Sequence, residues 1–255
     1  MYSVLTLVIN LERSKERLQQ IGHDLDLQKV KWERLPAVDG RSLQPAQVAA
    51  AMDVSKFCRQ HGMTPLPGEL GCYLSHVAAF KRLLASPCSF GLILEDDVRP
   101  DAALARVVEE LTSEAADRWD MVKLSSVHSG TPVPVRPLGE SHQLAVMLSR
   151  CTGSSAYLIN RRAAQRYLDG LLPMSLPYDH EYDKAWKYGI KVRRVMPDVA
   201  HHNSEVASTI AVDDGKPSRK FHWTKRWSTY RYRLGNELQR LVHGLKEVMR
   251  EKQGL

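Results

Sequence analysis

"LILEDDVRP", residues 92–100, is the stretch on which the fold turns. An apolar run ends in three consecutive carboxylates, Glu95, Asp96 and Asp97, and a proline closes the stretch. With Phe90 and Gly91 in front, the apolar part is short and continuous, the pattern of a strand buried on both faces. Such strands belong to α/β sheets, which take their ligands at the carboxyl ends of the strands. Adjacent like charges repel, and a divalent Mg²⁺ or Mn²⁺, which takes oxygen ligands, would relieve that repulsion. The competing use of the same acids is a solvated turn that caps the helix beginning near Asp101.

Outward from this strand, helical and extended patterns alternate. "SVLTLVINL" reads as a buried strand feeding a helix, "ERSKERLQQIGHDL", with Leu18, Ile21 and Leu25 on one face. "KVKWERLPAVDG" is a second strand ending in an Asp39-Gly40 turn. "QPAQVAAAM" and "CYLSHVAAFKRLLAS" are helices, with "MTPLPGELG" a loop between them. After the acidic strand come a helix, "AALARVVEELTSEA", and a strand, "WDMVKLSS". A loop follows, "SGTPVPVRPLGES", then strands "QLAVMLS" and "GSSAYLIN", and a helix, "RRAAQRYLDGLL". This alternation through residues 1–200 predicts an α/β fold around a mostly parallel central sheet.

A chain of 255 residues, 43% hydrophobic and 25% charged, has the composition of a soluble globular protein with a sizeable core. No stretch approaches the roughly 18 consecutive apolar residues of a membrane span. "VLTLVINL" is followed by "ERSKER" and has no positive region before it, so a core strand and a cytoplasmic location are expected rather than secretion. Cys58, Cys72, Cys88 and Cys151 form no CxxC pair and are expected as reduced thiols. The net charge of +7 is uneven: residues 216–255 carry 11 Lys and Arg against 3 Glu, which leaves residues 1–215 at −1.

The expected division is therefore a body, residues 1–215, and a basic amphipathic helical tail, residues 216–255. In the tail, Trp223, Trp227, Tyr230, Leu234, Leu238, Leu241, Leu245 and Val248 recur at steps of three and four. Lys225, Arg226, Arg231, Arg233, Arg240 and Arg250 take other faces. An anionic membrane surface suits this pattern, as does packing on the body or on a second subunit of a homo-oligomer. Nucleic-acid binding through the basic aromatic tail is an alternative function, but it gives no account of the near-neutral body or the acidic clusters.

Four motifs in order, "LTLVINLERSKERL", "GELGCYLSHVAAFKRLL", "LILEDDV" and "TGSSAYLINRRAAQRYL", make the chain resemble glycosyltransferase family 25. That family includes lipopolysaccharide and collagen galactosyltransferases, and the likeness runs from about residue 3 to about residue 210. The resemblance implies the GT-A type of nucleotide-sugar-binding α/β fold and a UDP-sugar donor. It implies inverting transfer of a hexose, galactose above all, to a glycan or glycolipid acceptor of the lipopolysaccharide type. Glu95-Asp96-Asp97 then resembles a DxD motif holding Mn²⁺ or Mg²⁺ against the diphosphate, with Glu95 and Asp97 as metal ligands and Asp96 assisting. Asn10, Leu11 and Arg13 after the first strand, and Asp39 after the second, are candidate nucleoside contacts. Ser75, His76 and Lys81 lie on the helix before the acidic strand and are candidates for the donor pocket. Thr152 and Gly153 allow backbone to approach a sugar closely.

A second acidic cluster, "LPYDHEYDKAW", holds Asp179, Glu181 and Asp183 among aromatics. Inverting transfer needs one carboxylate to take the acceptor's proton, and Asp179 is the candidate for that base, with helix capping as its rival role. Tyr178, Tyr182 and Trp186 suit either sugar stacking or core packing. His201 or His202 completes the metal shell in this reading, and not both, because neighbours on extended chain point in different directions.

Overall fold

The structure is a computed structural model that describes residues 3–113, 116–128, 130–202 and 219–254. Residues 216–218 and 255 of the expected tail lie outside the described residues. β1 (Val4–Asn10) feeds α1 (Lys15–Leu27), and β2 (Trp32–Pro36) returns parallel to β1. Helices α2 (Pro45–Ala51), α3 (Val54–His61) and α4 (Pro67–Leu84) precede β3 (Phe90–Glu95). Then come β4 (Val98–Pro100), α5 (Leu104–Ser113), β5 (Met121–Lys123), β6 (Pro132–Leu138) and β7 (His142–Met147). β8 (Ala156–Asn160) runs into α6 (Arg161–Leu168), and two short helices follow, α7 (Tyr178–Glu181) and α8 (Ala185–Tyr188). β9 (Val192–Met196), β10 (Ala200–His202) and the long α9 (Trp227–Lys252) complete the order.

Among the described residues the central sheet has eight strands in the order β2-β1-β3-β8-β5-β9-β7-β6. Six run one way; β8 and β7 are reversed, each antiparallel to its neighbours on both sides. This is the mixed α/β architecture with a mostly parallel sheet that the alternating pattern predicts. Both faces are covered, and the period of two divides their residues. Leu7, Ile9 and Ile93 join Phe80 and Tyr157 in one layer; Val8, Leu92 and Leu94 join Val107 and Trp119 in the other.

From β1 the chain turns to β2 on one side, and β3 pairs with β1 on the other. The order therefore reverses between β1 and β3, and Ile9 and Glu95 are partners at their carboxyl ends. The acidic triplet thus emerges at a topological switch point, where open α/β sheets form their ligand crevice.

Two expectations need correction. The proline-rich stretch taken for a loop contains β6. It is tolerated because β6 is the last strand of the sheet, with a register shift between Pro134 and Arg136. The segment "MTPLPGELG" is not all loop either, since α4 starts at Pro67. Proline suits the first turn of a helix, and Glu69 accepts the Leu66 N–H at 2.8 Å to close that end. At Gly71, α4 meets the Val38–Gly40 loop backbone to backbone. A Cβ on Gly71 would stand 2.5 Å from the Val38 carbonyl oxygen, and one on Gly40 would stand 1.8 Å from that of Pro67. This contact presses the Asp39 loop onto the helix.

The inner face of α9 packs on α3, α8, β6 and β7. Gly244 lets it approach Met147 and Leu148, and buried ion pairs fasten it. Arg193 of β9 reaches Glu247 and Glu251, each at 2.9 Å, and Arg240 pairs with Asp183, which also faces Lys123 at 3.5 Å. Removing one partner of a buried pair leaves the other charge desolvated. Arg193→Met should therefore destabilise the protein by about 3 kcal/mol in urea unfolding. The exposed partner of Glu247, replaced as Arg250→Met, should cost less than about 1 kcal/mol in the same measurement.

Candidate active site

Two cavities meet at the carboxyl end of β3. The first, about 690 Å³, is lined by the β1–α1 turn, the Val38–Arg41 loop, one face of α4 and the triplet. The second, about 750 Å³, lies between α4, residues 153–155, the start of α7 and His202. Cys72, Glu95 and Asp97 line both, so the triplet forms the wall between two ligand spaces.

The three carboxylates differ in their surroundings. Glu95 accepts from Ser154 Oγ at 3.2 Å and lies 3.3 Å from His76 Nε2. Burial pushes its carboxyl up, but His76 and the Ser154 hydroxyl bring it below its usual value. Asp96 is tied back to the first strand, accepting from Asn10 Nδ2 at 2.6 Å with Arg17 at 3.5 Å. Burial still leaves it above the usual carboxylate value. Asp97 has least support. Burial first, then the charges of Glu95 and Asp96, push it up to about 7. Its Oδ1 is buried with no hydrogen-bond partner, and its Oδ2 lies 3.7 Å from His202 Nδ1. Glu95, Asp97 and His202 present the oxygen and imidazole donors a divalent cation takes, one of them orphaned and buried. Among the described residues, however, only Cys72, His76 and Glu95 bring their ligand atoms within 4.8 Å of one another.

His76 is held from behind. Its Nδ1 lies 2.8 Å from the Tyr157 hydroxyl, to which Tyr178 donates at 3.0 Å, and its ring stacks on Tyr178 at 3.9 Å. The imidazole edge facing Glu95 and Cys72 is thereby fixed; one ligand atom from each of these three residues lies within 4.8 Å of the other two. Tyr178 and Tyr182 are buried; Tyr182 packs in the core, and Tyr178 also lines the second cavity. Trp186 packs its ring 5.1 Å from the Arg240 guanidinium.

Most of the expected site residues converge here. Leu11, Arg13, Asp39, Ser75, His76, Glu95, Asp96 and Asp97 line the first cavity. Gly153, Asp179 and His202 line the second. Arg13 and Asp39 pair across the first cavity, and Arg13 with the Arg41 N–H draws the Asp39 carboxyl below its usual value. Ser75 Oγ accepts the Val38 N–H at 2.9 Å and so fixes the loop that carries Asp39. Asn10 is buried with its amide engaged by Ser14, Asp96 and Arg34, and it acts on the cavity through Asp96. Thr152 is buried, and its carbonyl accepts the Val127 N–H at 2.9 Å. Lys81 is exposed near the end of α4 and lines neither cavity. His201 turns away, 4.0 Å from Asp101, so of the two histidines only His202 faces the triplet.

The second acidic cluster separates in the same manner. Glu181 is buried against Lys184 and Lys187, and Asp183 against Lys123 and Arg240. Asp179 alone faces the cavity. Burial raises its carboxyl above the usual value, opposed by Lys123 and the Gly153 N–H. Sequence reasoning missed Cys72, Ser154 and Tyr157. Cys72 stands four residues before His76, one helical turn away on the same face, and that spacing was its signal. Ser154 and Tyr157 carry none, because they reach Glu95 and His76 only through sheet pairing.

The model of "Glycosyltransferase family 25 (LPS biosynthesis protein)" matches residues 4–182. The chain is 28% identical over 167 residues to "Procollagen galactosyltransferase 1" of Danio rerio, covering 63% of this chain and 28% of that protein. It is 34% identical over 122 residues to "Procollagen galactosyltransferase 2" of Homo sapiens, covering 45% of this chain and 19% of that protein. The matched segments thus span little more than a quarter of these relatives' own length, or less. Among solved structures, galactosyltransferase LgtC in complex with donor and acceptor sugar analogs aligns over 92% of this chain and 95% of its own, with 12% identity and a TM-score of 0.41.

The electrostatics of Asp97 set a pH dependence for cation binding. Its folded acid lies near 7, above the ordinary carboxylate value, so below that pH a proton occupies the group a cation would need. Calorimetric titration with Mn²⁺ should give affinity roughly tenfold weaker at pH 6 than at pH 8. Equal affinities would contradict this assignment of Asp97.

Proposed function

The chain belongs to glycosyltransferase family 25, and on that premise we propose that it transfers a hexose, galactose by our reading, from a UDP-sugar to a glycan acceptor of the lipopolysaccharide type. The family match favours transfer chemistry over the nucleic-acid alternative. One observation carries the proposal: two cavities share the wall formed by Glu95 and Asp97, and a carboxylate of raised basicity, Asp179, stands in the second.

In this reading the nucleoside occupies the first cavity, against Leu11, Asp39 and Arg13, and the donor's diphosphate lies along the triplet. Glu95, Asp97 and His202 would hold Mn²⁺ or Mg²⁺. Such a cation neutralises the diphosphate in the ground state and the extra charge it carries on leaving. The acceptor sugar occupies the second cavity, where the backbone at Gly153 permits close approach. Asp179 takes the proton from the acceptor hydroxyl, whose oxygen attacks the anomeric carbon as the bond to the UDP oxygen breaks. Attack opposite the leaving group inverts that centre and gives a β-linked product. The Asn10–Asp96–Arg17 contacts and the Tyr157–His76 contact keep the triplet in place, and the Lys123 charge opposes the burial that raises the Asp179 carboxyl.

Two substitutions separate the roles. Asp179→Asn should retain UDP binding and lower transfer by about 10² to 10⁴, the usual worth of a positioned base. Asp97→Ala should abolish cation-dependent release of UDP from UDP-galactose. Full transfer by Asp179→Asn would remove this residue from the mechanism. Undiminished UDP release by Asp97→Ala would remove the cation from it.

A further inference from the structure

The outer face of α9 and the turn just before it carry a stripe that no described residue covers. Trp223, Trp227, Tyr230, Leu234, Leu238, Leu241, Leu245 and Met249 follow one another at steps of three and four, and all are exposed, Trp227 at 71% and Leu234 at 64%. The inner face is the one fastened to the body, so the helix has two partners to satisfy and only one within the described residues. A helix of 26 residues is about 39 Å long, and an apolar stripe of that length is not the scattered exposure usual on soluble surfaces. Among the described residues no helix is long and apolar enough to cross a membrane.

Charge identifies the occupant. Lys225, Arg231, Lys246, Arg250 and Lys252 are exposed alongside the stripe. Two of the three acids of α9 are spent inward, Glu247 and Glu251 on Arg193; Glu247 also pairs with Arg250 at 2.8 Å, and Glu237 keeps an exposed side chain 3.5 Å from Arg240. We propose that this face docks on an anionic lipid surface, its apolar side chains at the level of the headgroups and its cations against the lipid phosphates. A second copy of the chain fits worse, because pairing two such faces would set cations against cations with Glu237 the one acid of α9 whose side chain is exposed to offset them.

The docked face also has a direction. Arg219, just before the helix, forks onto Glu69 with two bonds of 2.8 Å, and Glu69 lines the second cavity. The two exposed tryptophans thus lie at the end of the helix that enters from that cavity's rim. There a lipid-linked acceptor would rise from the surface toward Asp179; this last point rests on the proposed function, whereas the docking does not.

Flotation of the whole chain with vesicles tests the docking. The wild type should float with vesicles of mixed phosphatidylcholine and phosphatidylglycerol, and remain below with phosphatidylcholine alone or at high salt. Leu234→Glu with Leu238→Glu and Leu245→Glu should lower the floating fraction by at least about tenfold. Arg231→Glu with Lys246→Glu should remove the preference for phosphatidylglycerol. Neither set touches a cavity, so thermal unfolding and UDP release from a soluble donor should match the wild type and report intact folding. A wild type that stays below with both vesicles, or floats equally with both, overturns the proposal. So does a wild-type dimer in light scattering that the leucine variant dissolves while no vesicle is bound; the face would then belong to a second copy. Failure of UDP-sugar turnover with flotation intact would count against the transferase reading alone.

Discussion

Three carboxylates in a row at the end of a buried strand are the constraint around which the site is arranged. β3 is covered on both sides, so Glu95, Asp96 and Asp97 emerge where water is scarce and cannot be separated along the chain. The fold relieves two of them by specific partners, His76 and Ser154 for Glu95, Asn10 and Arg17 for Asp96. Asp97 is left with a buried, unpartnered oxygen and a titration near neutral pH. A group so placed costs stability while it lacks a partner, which is a recurrent property of functional sites.

Much of the surrounding structure serves to keep that arrangement rigid. The Gly40–Gly71 contact presses the Asp39 loop against α4, and Ser75 fastens the same loop from the helix side. Behind His76 the Tyr157 hydroxyl holds the imidazole, Tyr178 donates to that hydroxyl, and the Tyr178 ring stacks on the imidazole. The next acidic segment is sorted by burial, two of its carboxylates consumed by lysines and an arginine and one left facing the cavity. Arg240 of α9 is among those partners, so the terminal helix takes part in holding the site from a distance.

Some of this was legible in the residues and some was not. The α/β class followed from alternation, and the place of the triplet at the carboxyl end of a buried strand from a continuous apolar run ending in acids; the switch point itself needed the strand order. Hydrophobic patterning could not give β6, since three prolines in seven residues read as loop unless the strand is known to lie at an edge. Nor could it give the early start of α4, where Pro67 opens the helix. Lys81 and His201 show the limit of proximity along the chain. Each is near a cavity-lining residue in sequence, and helical or extended geometry turns each away. The acids in "LPYDHEYDKAW" looked alike because what separates them is Lys123 and Arg240, distant residues brought in by folding.

The proposed transfer requires the triplet to grip a cation that in turn grips a pyrophosphate. Titrating UDP into the protein by calorimetry, with Mn²⁺ present and again after its removal by a chelator, tests this most directly. Binding should be tight with the ion and fall by at least about tenfold without it, a coupling of about 1.4 kcal/mol or more. Equal binding under the two conditions would contradict the claim and leave the carboxylate wall without the function assigned to it.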